Sequence, residues 1–218
     1  MTISARIEEI NKELPPTTRL VAVSKFKPAE DIMEAYNSGV REFGENRPQE
    51  MQMKAQTLPP DIKWHFIGHL QTNKVKMIVD KADLIHSVDS IRLAQEIDRQ
   101  AELRSITKNC LLQIHIAMEE TKQGFTHEEI NEGMGILKSL KNIRICGVMG
   151  MASYISETEQ IRNEFRALKA EFDSLKEKHF KDSCYFKEIS MGMSGDYRIA
   201  IEEGSTIVRI GTGIFGVR

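Results

Sequence analysis

Residues 19–38 read RLVAVSKFKPAEDIMEAYNS. Val21, Ala22 and Val23 make the core of an apolar run suited to a buried strand. The run meets a lysine at Lys25 and a proline at Pro28, and an amphipathic pattern continues to Ser38. The segment is therefore a strand, a short loop and a helix. A lysine closing a buried strand either reaches water or stands as a nucleophile at the mouth of a site.

The same unit recurs along the chain. β-type runs fall at 19–24, 41–44, 64–67, 83–88, 110–116, 143–148, 186–190 and 206–210, eight in all. Helical candidates lie near 28–38, 47–57, 72–81, 90–104, 126–140, 157–178 and 195–203. The clearest carries Ile161, Phe165, Leu168, Phe172 and Leu175 at steps of four, three, four and three. That stripe is short for a coiled coil and suits a helix packed on a sheet. Strict alternation predicts an α/β fold with a parallel sheet. Eight strands suit a single TIM-type (β/α) barrel better than a doubly wound open sheet. Only eight residues follow Ile210, too few for an outer helix after the last strand. Ile3, Ile7, Ile10 and Leu14, at helical spacing, predict an added N-terminal helix that covers the gap. With no linker, repeat or low-complexity tract, one domain over residues 1–218 is expected.

Composition narrows the function. A net charge of −2 without a long basic run lacks the footprint of nucleic-acid binding. Lys74, Lys76 and Lys81 read as a solvated helix face. No apolar stretch approaches the roughly 20 residues that cross a membrane, and MTISARIEEINKEL does not resemble a secretory signal. A cytoplasmic protein with no membrane contact is expected. Cys110, Cys146 and Cys184 are odd in number and far apart, which predicts buried thiols in a reducing compartment, with no disulfide framework or metal site.

In a parallel barrel, functional groups gather where strands end. The first strand ends at Lys25, the second runs into FGENR with Asn46, the seventh into SMGMSGDY and the eighth into RIGTGIFG. The last two loops carry Gly192, Ser194, Gly195, Gly211, Thr212 and Gly213, which offer close backbone donors and hydroxyls to a phosphate. An amine across the mouth from a phosphate anchor suits pyridoxal 5′-phosphate (PLP), whose aldehyde takes a lysine as a Schiff base. Arg209 in the last strand would then face the pyridine nitrogen. A guanidinium accepts no proton, so the ring would remain a weak electron sink.

Other readings of these residues are less complete. Lys25 as a solvated strand end leaves the two glycine-rich loops unexplained. Arg209 as a surface cation conflicts with its apolar surroundings, TIVRI. GTGIFG, at 211–216, matches a dinucleotide fingerprint but is not followed by the required acid, because Arg218 is the last residue. His65 and His69 stand four apart in HFIGH, as in a zinc helix, yet Trp64, Phe66 and Ile67 make that segment a strand. Met191 and Met193 read as core packing.

VAVSKFKP, FGENRPQE, WHFIGHLQTNK, IHSVDS, KQGF, SMGMSGDY and GSTIVRIGTGIFGVR together resemble the pyridoxal phosphate homeostasis protein family, in order from about Leu20 to Arg218. The resemblance implies a PLP-binding barrel of PLP fold type III, like the N-terminal domain of alanine racemase without its C-terminal β domain. It implies that Lys25 carries the Schiff base, that Ser194, Gly211 and Thr212 hold the phosphate, that Arg209 faces the pyridine nitrogen and that Asn46 lies beside the ring. It further implies a monomeric, non-catalytic protein acting in vitamin B6 and amino-acid homeostasis, with apo PLP-dependent enzymes and free amino acids as partners. Pro48 departs from the small β-branched residue usual in relatives, but it suits the first turn of a helix. His69 stands at a variable position and is left out of the site. Met149 or Met151 falls where relatives supply an apolar wall to the ring. The rival reading is an amino-acid racemase, which needs two positioned bases. Lys25 supplies one; racemases take the second, a tyrosine, from their additional domain. None of Tyr36, Tyr154, Tyr185 and Tyr197 stands in an obvious place for it.

Overall fold

Every apolar run becomes a strand of one sheet, and the sheet closes on itself. The computed structural model describes residues 1–117, 123–155 and 157–216. The parallel strands are β1 (Arg19–Val23), β2 (Glu42–Glu45), β3 (Lys63–Phe66), β4 (Ala82–Val88), β5 (Lys108–Gln113), β6 (Ile143–Met149), β7 (Glu188–Ser190) and β8 (Ile207–Ile210). They follow one another around the barrel in chain order, and β8 returns to β1 with Arg209 opposite Val21. Closure removes the open edges on which such short strands would otherwise expose unpaired backbone groups.

The outer ring comprises α1 (Ile3–Glu13), α2 (Ala29–Asn37), α3 (Pro48–Thr57), α4 (Val75–Ile78), α5 (Ile91–Glu102), α6 (His127–Ser139), α7 (Thr158–His179), α8 (Tyr197–Glu202) and α9 (Thr212–Phe215). The stripe on α7 is buried as its spacing requires, and Phe172 stacks on Phe186 at 4.9 Å between ring centres. Pro48 opens α3, where a missing N–H costs nothing. The main apolar core lies between helices and barrel. Inside the barrel a smaller layer of Val21, Leu84, Leu111, Cys146, Met149 and Ile207 shares the space with charged and polar groups.

The N-terminal helix takes the missing place in the ring. Ile3, Ile7 and Ile10 face inward, and Arg6 Nη1 donates to Ile214 O in α9 at 3.0 Å. On its other flank Ser38 Oγ bonds Ser4 Oγ at 2.7 Å, beside α2. Glu13 accepts from Tyr197 Oη at 2.6 Å and from Arg198, which fixes the end of α1 to α8.

Some boundaries differ from expectation. The residues after β8 do form a helix, α9, although of a single turn. The helix expected over 72–81 is a 3-10 turn, Thr72–Lys74, followed by one turn of α4, because only Val75, Ile78 and Val79 supply buried contacts. β5 starts earlier, where the buried Lys108 side chain donates to Ala82 O, and ends at Gln113; beyond it Ile114 makes an isolated bridge to Phe125. Cys184 is exposed, while Cys110 and Cys146 are buried and all three are free thiols, so the expectation of three buried thiols fails at Cys184. Its neighbours Asp182, Ser183 and Tyr185 belong to the turn before β7, outside the core. Among the described residues, no helix is long and apolar enough to cross a membrane. Lys122 of KQGF and the final two residues of the last motif lie outside the described residues.

Candidate cofactor site

β1 ends in a turn built from side chains of its neighbours. Ser24 N still donates to Gly44 O, but Ser24 Oγ donates to Glu45 Oε1 at 2.6 Å. Lys27 N then donates to Ser24 O at 3.0 Å, which closes a tight turn over Lys25 and Phe26. Phe26 has φ of 61°, the left-handed region that a residue with a Cβ adopts only at a cost of about 1–2 kcal/mol. Its N–H is held by Glu50 Oε1 at 2.6 Å, and its ring lies 4.4 Å from the Arg47 guanidinium carbon. Lys25 therefore stands at the apex of a restrained turn. It is exposed, and its amine makes no hydrogen bond or ion pair with another described residue.

The turn rests on Lys54. Its Nζ donates to Ser24 O at 2.8 Å, Glu45 Oε1 at 2.7 Å and Glu50 Oε1 at 2.8 Å, with Lys54 only 6% exposed. Burial pushes the Glu45 carboxyl above its ordinary range, and the adjacent ammonium of Lys54 offsets only part of that rise. Glu45 Oε2 is buried without a partner.

Asn46 follows at the end of β2, half-buried, with Oδ1 also buried and unpartnered. Gly68, after β3, packs its backbone against Asn46 so closely that a Cβ would collide with Asn46 O and Cα. The loops after β7 and β8 interlock: Ser194 Oγ accepts from Gly213 N at 3.1 Å and Gly211 N at 3.3 Å. Gly211 faces the end of β1, where an added Cβ would come 3.3 Å from Val23 Cβ. Lys27 Nζ donates to Phe215 O at 3.0 Å and ties the Lys25 turn to the same loop. Thr212 is exposed between these glycines.

Arg209 lies deeper, level with Val21, and is 4% exposed. Nη1 donates to Ser190 Oγ at 2.6 Å and Nη2 to Gly150 O at 3.0 Å, both neutral acceptors. Burial lowers its pKa to about 10, so it stays charged at neutral pH. A buried cation held by two neutral oxygens retains further N–H donors for a ligand acceptor.

The six sequence-predicted residues thus all fall at the C-terminal end of the barrel or, for Arg209, just below it. His69 lies apart, half-exposed and 3.3 Å from Asp89, whereas His65 turns inward to His86, so the two do not converge. Met149 is fully buried in the inner layer and Met151 is partly buried beside it. Sequence reading missed Ser24, Glu45, Glu50 and Lys54 beneath the turn, and Ser190 beside Arg209. The available signal was the pair of polar residues, Ser24 and Glu45, closing two adjacent apolar runs.

Comparison with known proteins agrees with this fold. Residues 2–218 match the family model described as alanine racemase, N-terminal domain. The pyridoxal phosphate homeostasis protein of Aquifex aeolicus is 42% identical over 201 residues, covering 92% of this chain and 87% of that protein. The protein of the same name from Synechocystis is 42% identical over 212 residues, 96% of each chain. The PLP-bound structure of PipY from Synechococcus elongatus superposes with a TM-score of 0.90 at 35% identity, over 99% of this chain and 100% of that one. Alanine racemase from Bartonella henselae shares the fold, with a TM-score of 0.76 at 14% identity, over 99% of this chain and 58% of the racemase. This chain, a barrel of the alanine racemase N-terminal type, belongs to the pyridoxal phosphate homeostasis protein family.

Proposed function

We propose that this chain binds PLP at the barrel mouth, with Lys25 as its Schiff-base residue, and serves intracellular PLP and amino-acid homeostasis without catalytic turnover. The observation that carries the reading is the unengaged Lys25 amine on a turn locked to the Ser194–Gly211–Gly213 loop pair. The homeostasis name of the relatives and the PLP bound to PipY support it.

The residues present fit the cofactor. Ser194 and Thr212 would offer hydroxyl donors to the phosphate, with the Gly211 amide, here bonded to Ser194 Oγ, beside them, and Asn46, whose buried Oδ1 has no partner, would lie near the ring. When bound, PLP supplies an aldehyde and an electron-withdrawing ring. Arg209 holds its proton at neutral pH and would donate to the ring nitrogen without protonating it. The turn restrained by Lys54 aims Lys25, and the neighbouring loops retain the phosphate. The protein would then release PLP to apo-enzymes, with free amino acids competing for the Lys25 linkage.

The tyrosines disfavour racemisation. Tyr36 is tied to Asp61, Tyr185 lines a cavity at the opposite end of the barrel, and Tyr197 is tied to Glu13. Tyr154, after β6, is 96% exposed and unburied by any wall that would position a base.

Two measurements test the reading. Borohydride treatment of the PLP-loaded protein should fix one cofactor on the peptide containing Lys25; label on Lys27 with Lys25 unmodified refutes the assignment. Solvent deuterium should enter the α-position of L- or D-alanine negligibly slowly, and incorporation at about 1 per second or faster would favour the racemase.

A further inference from the structure

Arg209 is the top of a hydrogen-bonded series that crosses the barrel interior. Arg209 Nη1 lies 2.6 Å from Ser190 Oγ, Ser190 Oγ lies 2.9 Å from His86 Nδ1, and His86 Nε2 lies 2.8 Å from His65 Nδ1. His65 Nε2 is 3.3 Å from Glu42 Oε2, and Glu42 pairs in turn with Arg19 at 3.0 Å. The residues come from β8, β7, β4, β3, β2 and β1. Ser190, His86 and His65 are completely buried.

The guanidinium end fixes the direction of the links below it. A guanidinium only donates, so Ser190 Oγ accepts from Arg209 and turns its own hydrogen to His86 Nδ1. His86 Nδ1 is then a lone pair, and a neutral ring carries its hydrogen on Nε2, donated to His65 Nδ1. His65 in turn accepts at Nδ1, which leaves its hydrogen on Nε2. The series ends there: His65 Nε2 is buried without a hydrogen-bond partner, 3.3 Å from the Glu42 carboxylate. Reversal would give Ser190 two donors and leave its hydrogen without an acceptor.

We infer that His86 and His65 are positioning residues, a tautomer-locked relay that runs from Arg209 through Ser190 into the barrel interior and holds the guanidinium ready for its ligand. The link to PLP rests on the reading above; the relay itself does not. The surroundings oppose a further proton on His86. Burial, with the guanidinium charges of Arg209 and Arg19, pushes it well below its ordinary pKa. For Glu42, burial raises the carboxyl, but His65 and Arg19 together outweigh it and hold the group ionised. At the other end Arg209 is faced by Asp196, and Arg19 by Glu188.

The test begins with cofactor-free protein carrying isotope-labelled histidine. Long-range proton–nitrogen correlation spectra, assigned by loss of signals in His65→Gln and His86→Gln, should show His86 as a neutral Nε2–H ring that does not titrate between about pH 5 and 8, and His65 with its Nδ1 accepting. An Nδ1–H tautomer at either ring, or ordinary titration of His86, overturns the relay. With PLP, equilibrium dialysis should give about a tenfold higher Kd for Ser190→Ala and His86→Leu. His86→Gln, which keeps a donor and an acceptor, should recover most of that loss. Unchanged affinity in Ser190→Ala, with tautomers as expected, overturns the coupling to the site. Wild-type protein that binds no PLP would instead defeat the cofactor reading, and the spectra alone would then decide the relay.

Discussion

Lys54→Met is the most informative single change beneath the Lys25 turn. Methionine keeps the length and packing of the stem but removes the ammonium that bonds Ser24 O, Glu45 Oε1 and Glu50 Oε1. Glu45 is fully buried and its Oε2 already lacks a partner, so the variant leaves it only the Ser24 hydroxyl. Removing one partner of a buried pair costs about 3–5 kcal/mol, and that is the expected loss at neutral pH. The pH dependence has a definite sign. Burial already places the folded-state pKa of Glu45 above its ordinary value of 4.5. Stability linked to that proton is present below the unfolded value and lost as pH rises through the folded one. Without Lys54 the folded value climbs further, so the deficit is largest near neutrality and narrows as pH falls to the ordinary carboxylate range. Urea unfolding at several pH values measures this as a shift in midpoint at constant slope. Lys54→Met with Glu45→Gln should recover part of the loss. A deficit below about 1 kcal/mol, or one equal at acidic and neutral pH, would refute the argument.

Three further outcomes are expected. Ser194→Ala and Thr212→Val should each raise the Kd for PLP about tenfold or more, read by dialysis, since each removes a hydrogen bond to a charged group. Equal retention by wild type and the double variant would put the phosphate elsewhere. Gly68→Ala, whose Cβ would strike the Asn46 backbone, should weaken PLP binding while the circular dichroism of the barrel persists; wild-type affinity would remove Asn46 from the site. Hydrogen bonds from Arg198 and Tyr197 hold the Glu13 carboxyl down at about 2. Its contribution is therefore present above the ordinary value of 4.5 and lost as pH falls toward 2. Glu13→Gln should speed hydrogen exchange in α1 at neutral pH, as acid does in the wild type, and unchanged exchange would show that Glu13 does not anchor the helix.

The strands were legible because each apolar run is short, bounded by turn residues and separated from the next by a helical period. Val21 to Val23 and the stripe from Ile161 to Leu175 are examples in which local pattern and final burial coincide. The mouth residues were legible by rule, since closing a parallel barrel gathers whatever follows each strand. The supporting groups were not. Lys54 sits on an ordinary-looking helix and becomes buried only when α3 packs over the ends of β1 and β2. His65 and His86 are 21 residues apart, and the sequence sets His65 beside His69 instead. Their partnership depends on which strand faces flank the same interior, and that is decided by barrel register.

The docking of α1 against α9 has a consequence for biosynthesis. Arg6 and Ile214 stand 208 positions apart, and β1 finds its second neighbour only in β8. During translation the α9-facing side of α1 and one edge of β1 wait, uncovered, until β8 and α9 have emerged. Loop closure of that length makes the final seam the slow, aggregation-exposed stage of assembly. Lys25 belongs to the first side of the seam, whereas Gly211 and Thr212 belong to the second. If the proposed site is right, nascent chains stalled before β8 carry the lysine but cannot hold the cofactor, so PLP capture reports a closed barrel.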